Sequence, residues 1–170
     1  MTDTWYFAYG SNLLIDQKQW RTGTIRRATR CRLPGYRFAL NKRAQSGDGV
    51  YANIVPDESQ IVWGVAYLCD DEAISELDGY EGVSGGHYRH YQVEVVTDAG
   101  DVLQAMTYVA GDDHVGDEGR PRADYLDTVL AGAYQHGLPE EYIATLEALG
   151  TRESAANRGV GVSEPNEART

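Results

Sequence analysis

The pattern of apolar and polar residues changes along the chain from a mostly strand-like period to a helix-like period in the last third. Runs rich in β-branched and aromatic residues predict strands, and apolar residues spaced three and four apart predict helices. This order favours an α+β domain in which helices pack on a small mixed β-barrel or curved sheet. The predicted strands are residues 4–8, 29–40, 50–55, 61–69, 88–97 and 101–110, and the predicted helices are residues 13–20, 71–80, 122–135 and 139–149.

Turn-forming residues interrupt or separate these elements. Pro34 and Gly35 predict a turn that divides one strand into two pieces, and residues 56–59 predict a turn between two further strands. Residues 98–100 predict a hairpin turn. Past Gly150 the chain is polar and has no periodic apolar residues. We therefore predict a single domain over residues 1–150 and a disordered tail over residues 151–170.

The charge of the chain limits its partners. The formal net charge is −11, and such a surface repels phosphate backbones, so nucleic acid is not an expected partner. Only two of the 15 basic residues are lysines, Lys18 and Lys42, and the others are arginines. Many carboxylates with few lysines suggest a high-salt cytoplasm, and an acidic protein from an ordinary habitat explains the same composition.

Location and metal content follow from what the sequence lacks. No apolar run is long enough to span a bilayer, and the first residues show no secretory pattern, so we expect a cytoplasmic protein without a membrane partner. Cys31 and Cys69 are expected to be reduced, buried thiols. The four histidines are not spaced like metal ligands. We therefore predict no metal site. We also expect a monomer or a homodimer.

The segment Tyr9-Gly10-Ser11-Asn12 lies between the first predicted strand and the first predicted helix. A glycine tolerates a positive φ, expected here at Gly10, and successive N–H groups could then face one anion. The following helix, with Ser11 or Asn12 as its N-cap, would add donors. The segment could therefore bind a carboxylate or an oxyanion, and a plain turn before a capped helix is the alternative. A serine nucleophile is disfavoured because the G-x-S-x-G pattern is missing.

A second candidate, Glu81, lies where the predicted helix 71–80 ends before Gly82. The negative end of the helix dipole disfavours a carboxylate at that place. Such a carboxyl group is suited to accept and return a proton near neutral pH. A solvated surface glutamate is the alternative, and Glu81 alone would not identify a function.

Several segments together resemble the γ-glutamylcyclotransferase family. They occur in order and at compatible spacing over residues 6–149, which is more specific than any single motif. The resemblance implies a compact β-barrel surrounded by helices and a cytoplasmic enzyme that needs no cofactor. The similar segments are FAYGSNLL (7–14), VWGVAY (62–67), LDGYEGV (77–83), Tyr125 and GLPEEY (137–142).

The resemblance also implies the chemistry. The substrate's own α-amine would attack its γ-carbonyl and release 5-oxoproline and a free amine, with Glu81 as the general acid/base. The remaining site residues implied by the resemblance bind the small-molecule γ-glutamyl substrate: Tyr9, Gly10, Ser11, Asn12, Leu13, Tyr88 and Tyr125.

Three alternatives remain open at this point. The leaving group could be a simple amine, or the enzyme could remove a γ-glutamyl protecting group from a specialised metabolite. A non-catalytic module that binds small anions would retain the loop, but it would not need the carboxylate of Glu81. A protein-interaction domain that uses the acidic surface would explain neither the loop nor Glu81.

Overall fold

The computed structural model describes residues 2–47 and 49–151 of the 170-residue chain. The described part contains strands and helices in an α+β arrangement, as the sequence predicts. The strands are β1 (Thr4–Ala8), β2 (Ala28–Arg43), β3 (Val50–Cys69), β4 (Tyr88–Thr97) and β5 (Val102–Ala110), and the helices are α1 (Ile15–Thr22), α2 (Asp71–Tyr80), α3 (Ala123–Gln135) and α4 (Glu140–Glu147).

The strands form a closed barrel in the order β1-β3-β2-β4-β5. Neighbouring strands are antiparallel except for β1 and β5, which close the barrel in parallel through the pair Tyr6 and Met106. Because the barrel is closed, few sheet edges are left unpaired. Along each strand, every second side chain points into the barrel interior. The buried ends of β1 and β5 therefore lie together, beside the segment that follows β1.

The longest pairing in the barrel corrects two predicted turns. β2 runs through Pro34 and Gly35, and β3 runs through residues 56–59. The register between the two strands shifts between Pro34 and Tyr36, and Gly35 has a φ of 87°. A bulge of this kind absorbs residues that do not fit the ladder, so the strand bends and continues. The prediction of a break was wrong because turn-forming residues also occur at bulges.

The helices agree with the prediction except at the first one. A 3-10 turn over Ser11–Leu13 precedes α1, so α1 begins at Ile15 rather than at residue 13. The N-cap of α1 is Leu14, and no side chain caps that helix. The expected capping by Ser11 or Asn12 is therefore wrong. The other three helices match their predicted bounds to within about two residues, which is the usual uncertainty at a helix end.

The core consists largely of tyrosine and aliphatic side chains of the barrel interior and the inner faces of the helices. Cys31 and Cys69 are buried, free thiols, which confirms that prediction. No helix in the described part of the chain is long and apolar enough to cross a membrane. Apart from Thr151, the predicted tail over residues 151–170 lies outside the described residues.

Candidate active site

The segment after β1 is buried, although the structure differs from the expected helix cap. Tyr9, Gly10, Ser11, Asn12 and Leu13 have almost no exposed surface. Gly10 has a φ of −113°, so the expected positive φ is wrong. The chain instead makes a 3-10 turn, closed by a hydrogen bond from the Leu13 N–H to the Gly10 carbonyl at 3.1 Å. The first N–H groups of such a turn, those of Ser11 and Asn12, have no acceptor within it.

Glu81 lies where the sequence predicts it, at the C-terminal end of α2. Its N–H donates to the Leu77 carbonyl at 2.8 Å, and it is the C-cap of the helix. Gly82 follows with a φ of 62°, a left-handed conformation that ends the helix. The Glu81 side chain is completely buried. The alternative of a solvated surface glutamate is therefore excluded.

A direct hydrogen bond joins the two predicted constellations. The side-chain amide of Asn12 donates from Nδ2 to Oε1 of Glu81 at 3.1 Å and to the Tyr6 hydroxyl at 3.0 Å. Arg21 donates from Nη1 to Oδ1 of Asn12 at 3.0 Å, and the same nitrogen lies 3.6 Å from Oε1 of Glu81. Burial and the helix end disfavour a negative charge on Glu81, whereas Arg21 and Asn12 favour it.

Sequence reasoning missed the contribution of α1 to this network. Arg21 is 6% exposed, and its guanidinium also stacks on the Tyr80 ring at 4.8 Å. Gln17, one turn earlier, donates from Nε2 to Ser11 Oγ at 2.7 Å and to Asn12 Oδ1 at 3.2 Å. Residues four apart share one face of a helix. The spacing of Gln17 and Arg21 indicated that the two side chains lie on one face of α1. It could not show which part of the protein that face contacts.

Tyr6 is the other residue of this network that sequence reasoning missed. Burial and the negative charge of Glu81 raise the pKa of the Tyr6 hydroxyl well above its usual value. The hydroxyl is therefore even harder to ionise than that of an ordinary tyrosine, and it keeps its proton while it accepts the hydrogen bond from Asn12. Its position in the first predicted strand gave no hint of a polar role.

Two of the predicted substrate-binding tyrosines meet on one residue of β3. The Tyr88 hydroxyl donates to the carbonyl of Ala52 at 2.8 Å, and the Ala52 N–H donates to the Tyr125 hydroxyl at 3.1 Å. Both tyrosines are buried. Tyr88 follows Glu81 by seven residues, and the connection is folded back by a hydrogen bond from the His87 N–H to the Gly82 carbonyl. The structure thus brings Tyr88 and Tyr125 together on Ala52.

The remaining site residues are held by neighbouring elements. Tyr9 donates from its hydroxyl to the carbonyl of Tyr108 in β5. The carbonyl of Leu13 accepts from the Tyr67 hydroxyl at 3.1 Å and lies 2.8 Å from Nε2 of His136. These contacts hold the two ends of the segment 9–13 against the barrel and against the C-terminal end of α3.

A further polar chain leads from this region to the surface. Asp78 Oδ1 accepts from the Tyr108 hydroxyl at 2.6 Å and pairs with Nε2 of His90 at 2.6 Å. The Tyr108 ring packs edge-on against the Tyr6 ring, with centroids 5.5 Å apart. Asp78 precedes Glu81 by three residues at the end of α2. This spacing in the sequence indicated that the two side chains lie on one face of the helix.

Comparisons with known proteins agree with this fold. The AIG2-like family matches residues 61–146. A human gamma-glutamylcyclotransferase is 30% identical over 148 residues, which cover 85% of this chain and 77% of that protein. The mouse gamma-glutamylcyclotransferase matches with the same identity and coverage.

A solved structure named gamma-glutamyl cyclotransferase superposes with a TM-score of 0.82 at 26% identity, covering 91% of this chain and 92% of that one. The closed barrel with its surrounding helices is therefore the fold of that enzyme. The resemblance drawn from the motifs thus extends over most of the chain. The chain belongs to the γ-glutamylcyclotransferase family of enzymes.

Proposed function

We propose that this protein converts a γ-glutamyl amino acid, peptide or amine into 5-oxoproline and the free amine, with Glu81 as the general acid/base. The observation that carries the proposal is the hydrogen bond between Asn12 and Glu81 at 3.1 Å. It places a buried carboxyl group against the segment expected to bind the γ-glutamyl group. The relatives named gamma-glutamylcyclotransferase support the reaction type.

The proposed reaction needs one proton carrier beside the reacting atoms. Glu81 takes a proton from the substrate's α-ammonium group, and the free amine attacks the γ-carbonyl carbon of the same molecule. The new C–N bond closes a five-membered ring and leaves an oxyanion. Glu81 then returns the proton to the leaving nitrogen as the oxyanion reforms the carbonyl and the old C–N bond breaks. The ring nitrogen still carries one proton more than the lactam product, and this second proton passes to the released amine, which leaves as an ammonium ion. Because nucleophile and electrophile belong to one bent molecule, correct positioning supplies much of the acceleration.

The segment 9–13 would bind the charged or polar parts of the glutamyl group. The N–H groups of Ser11 and Asn12 begin a 3-10 turn and are suited to an oxyanion or to the glutamyl α-carboxylate. Tyr88 and Tyr125, held on Ala52, would line the pocket. Arg21 would keep the carboxyl group of Glu81 oriented through Asn12.

Burial of Glu81 has a consequence for catalysis. Its side chain has no solvent-exposed surface in this structure. A substrate must therefore displace some of the atoms that cover it, and the proton is then exchanged away from bulk water. In such surroundings the electrostatic contacts of Glu81 are stronger than they would be at the surface.

A panel of γ-glutamyl substrates tests the proposal. The panel contains γ-glutamyl amino acids, γ-glutamyl dipeptides and γ-glutamyl amines, and 5-oxoproline is quantified by mass spectrometry. We expect 5-oxoproline and the matching free amine in equal amounts from at least one class. Release of glutamate instead would indicate hydrolysis, and no product from any class would contradict the proposed function.

We also propose that the enzyme acts in the cytoplasm. The free, buried thiols of Cys31 and Cys69 support a reducing compartment. Fractionation of the source cells with detection of the native protein would check the location. The expectation of a monomer or a homodimer is checked by light scattering of the purified protein.

A further inference from the structure

The hydroxyl group of Tyr6 accepts a hydrogen bond, but its own hydrogen has no acceptor among the described residues. The Tyr6 side chain is completely buried. A buried donor without an acceptor is unfavourable, and a ligand that binds beside it is one explanation for its presence. The reaction proposed for Glu81 and the segment 9–13 makes no use of this hydroxyl.

The direction of the hydrogen bond between Asn12 and Tyr6 is fixed by Arg21. A guanidinium group can only donate, and it donates to Oδ1 of Asn12 at 3.0 Å. The amide of Asn12 therefore turns its nitrogen towards Tyr6, and Nδ2 donates to the hydroxyl oxygen at 3.0 Å. The Tyr6 oxygen is the acceptor in this pair, so its O–H is left to donate to another group.

Two buried tyrosines beside Tyr6 use their hydroxyl hydrogens within the protein. The Tyr67 hydroxyl donates to the Asn12 carbonyl at 3.0 Å, and the Tyr108 hydroxyl donates to Asp78 at 2.6 Å. The centroids of their rings lie 6.4 and 5.5 Å from that of the Tyr6 ring. The Tyr6 ring is therefore packed between two other rings, and its hydroxyl is held in one place.

That place lies beside the proposed proton carrier. Nδ2 of Asn12 donates both to the Tyr6 hydroxyl and to Oε1 of Glu81, at 3.0 and 3.1 Å. Because the two oxygens share one nitrogen, a substrate group that reaches Glu81 also comes near Tyr6. Burial and the negative charge of Glu81 raise the pKa of Tyr6 well above its usual value. The hydroxyl therefore keeps its proton and is a neutral donor.

A neutral donor at this place suits the oxyanion of the cyclisation. When the α-amine bonds to the γ-carbonyl carbon, the π electrons of the carbonyl move onto its oxygen. That oxygen and both nitrogens that Glu81 serves are then bonded to the same carbon, whereas the α-carboxylate is bonded to a different one. A donor next to Glu81 is therefore better placed for the oxyanion than for the α-carboxylate.

We propose that Tyr6 is a further catalytic residue, whose hydroxyl donates a hydrogen bond to the oxyanion formed from the γ-carbonyl group. No proton is transferred: the hydroxyl keeps its hydrogen while the ring C–N bond forms and while the oxyanion reforms the carbonyl and expels the leaving amine. The N–H groups of Ser11 and Asn12 then bind the glutamyl α-carboxylate. This role rests on the proposed cyclotransferase function, and it gives each negative group of the substrate its own donors.

Two replacements at position 6 separate donation from acceptance. Tyr6→Phe removes both. Tyr6→4-aminophenylalanine, introduced at a reassigned stop codon, retains N–H donors in place of the hydroxyl but is a poor acceptor. Tyr36→Phe is the matched control, because the hydroxyl of this half-buried tyrosine is hydrogen-bonded to that of Tyr91 at 2.7 Å. For each enzyme, kcat and KM are measured with a γ-glutamyl substrate that yields 5-oxoproline, and folding is checked by the melting temperature.

We expect Tyr6→Phe to lower kcat by about 10²- to 10³-fold, the usual effect of removing one donor to an oxyanion. KM should change little, because the oxyanion does not exist in the bound ground state. The 4-amino variant should recover most of kcat, because its amino group still donates. Tyr36→Phe should match the wild-type enzyme.

Three results would overturn the proposal. An unchanged kcat in Tyr6→Phe would show that the hydroxyl does not contact the oxyanion. A raised KM with unchanged kcat would assign the hydroxyl to the α-carboxylate or to another group of the bound substrate. A loss of kcat in the 4-amino variant as large as that in Tyr6→Phe would show that Tyr6 serves only as an acceptor for Asn12.

The test also decides when one arm fails. If Tyr6→Phe does not fold, the 4-amino variant decides: retention of most of kcat supports the proposal, and a loss of about 10²-fold or more overturns it. If the 4-amino variant does not fold, the changes of kcat and KM in Tyr6→Phe decide. A wild-type enzyme that forms no 5-oxoproline contradicts the proposed function itself, whereas an active wild-type enzyme and an equally active Tyr6→Phe contradict only the role of Tyr6.

Discussion

At the scale of single residues, the site depends on one amide group. Asn12 has only one side-chain nitrogen and one side-chain oxygen, and both are used: the nitrogen donates to Glu81 and Tyr6, and the oxygen accepts from Arg21 and Gln17. These groups are buried or nearly so, where an unmatched polar atom is destabilising. Asn12 therefore orients the carboxyl group of Glu81 and links it to the turn after β1.

The first prediction concerns the proton carrier. Glu81→Gln keeps the shape of the side chain but cannot exchange a proton, so we expect kcat to fall by about 10²- to 10⁴-fold. Substrate affinity, measured by calorimetry, should change little. Glu76→Gln, an exposed change on the same helix, is the control and should leave kcat unchanged. A Glu81→Gln enzyme with wild-type kcat would refute the role of Glu81.

The second prediction separates positioning from substrate contact. Asn12→Ala should lower kcat in the wild-type background, because Glu81 loses a donor that orients it. In the Glu81→Gln background the same change should have a much smaller effect on kcat, since residues that act as a unit are not additive. Additive losses in the four-enzyme cycle would show that Asn12 acts independently of Glu81, for example by binding substrate only.

At the scale of elements, α3 and α1 hold the turn after β1 in place. Gly132 of α3 lies against the backbone of Leu13 and Leu14, and a Cβ built there would come within 2.5 Å of both residues. Gln135, one turn nearer the end of α3, accepts from the N–H of Ile15 at 3.0 Å. This close approach explains how a helix near the end of the chain can position a turn near its beginning.

The third prediction tests that approach. Gly132→Ala should force α3 away from the turn, because backbone atoms cannot yield as a flexible side chain can. We expect a loss of about 1–3 kcal/mol in the free energy of unfolding and a raised KM. Gly79→Ala is the control: its Cβ would meet nothing within 4 Å, so that helix should be slightly stabilised. Equal stability of the two variants in urea titrations would show that the turn tolerates displacement.

The fourth prediction concerns pH and the end of α3. Burial lowers the pKa of His136 below its usual value of 6.5, so the unfolded chain binds a proton at a higher pH than the folded protein does. Burial of the neutral His136 ring therefore contributes fully to the free energy of unfolding above about pH 6.5. That contribution is lost as the pH falls towards the lower pKa of His136 in the folded protein. As the pH is lowered below about 6.5, the melting temperature of His136→Gln should fall less than that of the wild-type protein. An unchanged profile would assign the dependence to other groups.

At the scale of the whole molecule, charge is the dominant surface property. The net charge of −11 is spread over a chain with a pI of about 4.7. Ion pairs such as Arg26–Asp3 and Arg30–Asp98 lie at the surface, where each contributes little. Repulsion among the excess carboxylates therefore opposes folding at low ionic strength.

The fifth prediction follows from this repulsion. Raising NaCl from about 0.05 to 1 M shortens the screening length to about 3 Å, so we expect the melting temperature to rise by several degrees. The rise should level off once the charges are screened. A continuous rise without a plateau would point to a general salt effect on apolar burial. An unchanged melting temperature would show that self-repulsion is small.

Much of the local structure could be predicted from the sequence. The period of apolar residues located the helices α2 and α3, because burial of one face requires that period wherever the helix packs. Pro139 marked the start of α4. Glu81 was found because Gly82 ends its helix, which is a local property. The continuity of β2 and β3 was not predicted, since proline and glycine mark turns and bulges alike and only the partner strand distinguishes them.

The sequence by itself thus determined the family, most of the elements and the two motifs, because these depend largely on residues close together in the chain. Only the tertiary structure decided that Asn12 contacts Glu81, that Arg21 faces inward, and that Lys42 is buried beside Tyr88. Each of these facts depends on how barrel closure and helix packing bring distant segments together. Local patterns set which face of an element is apolar, but they do not set which element that face meets.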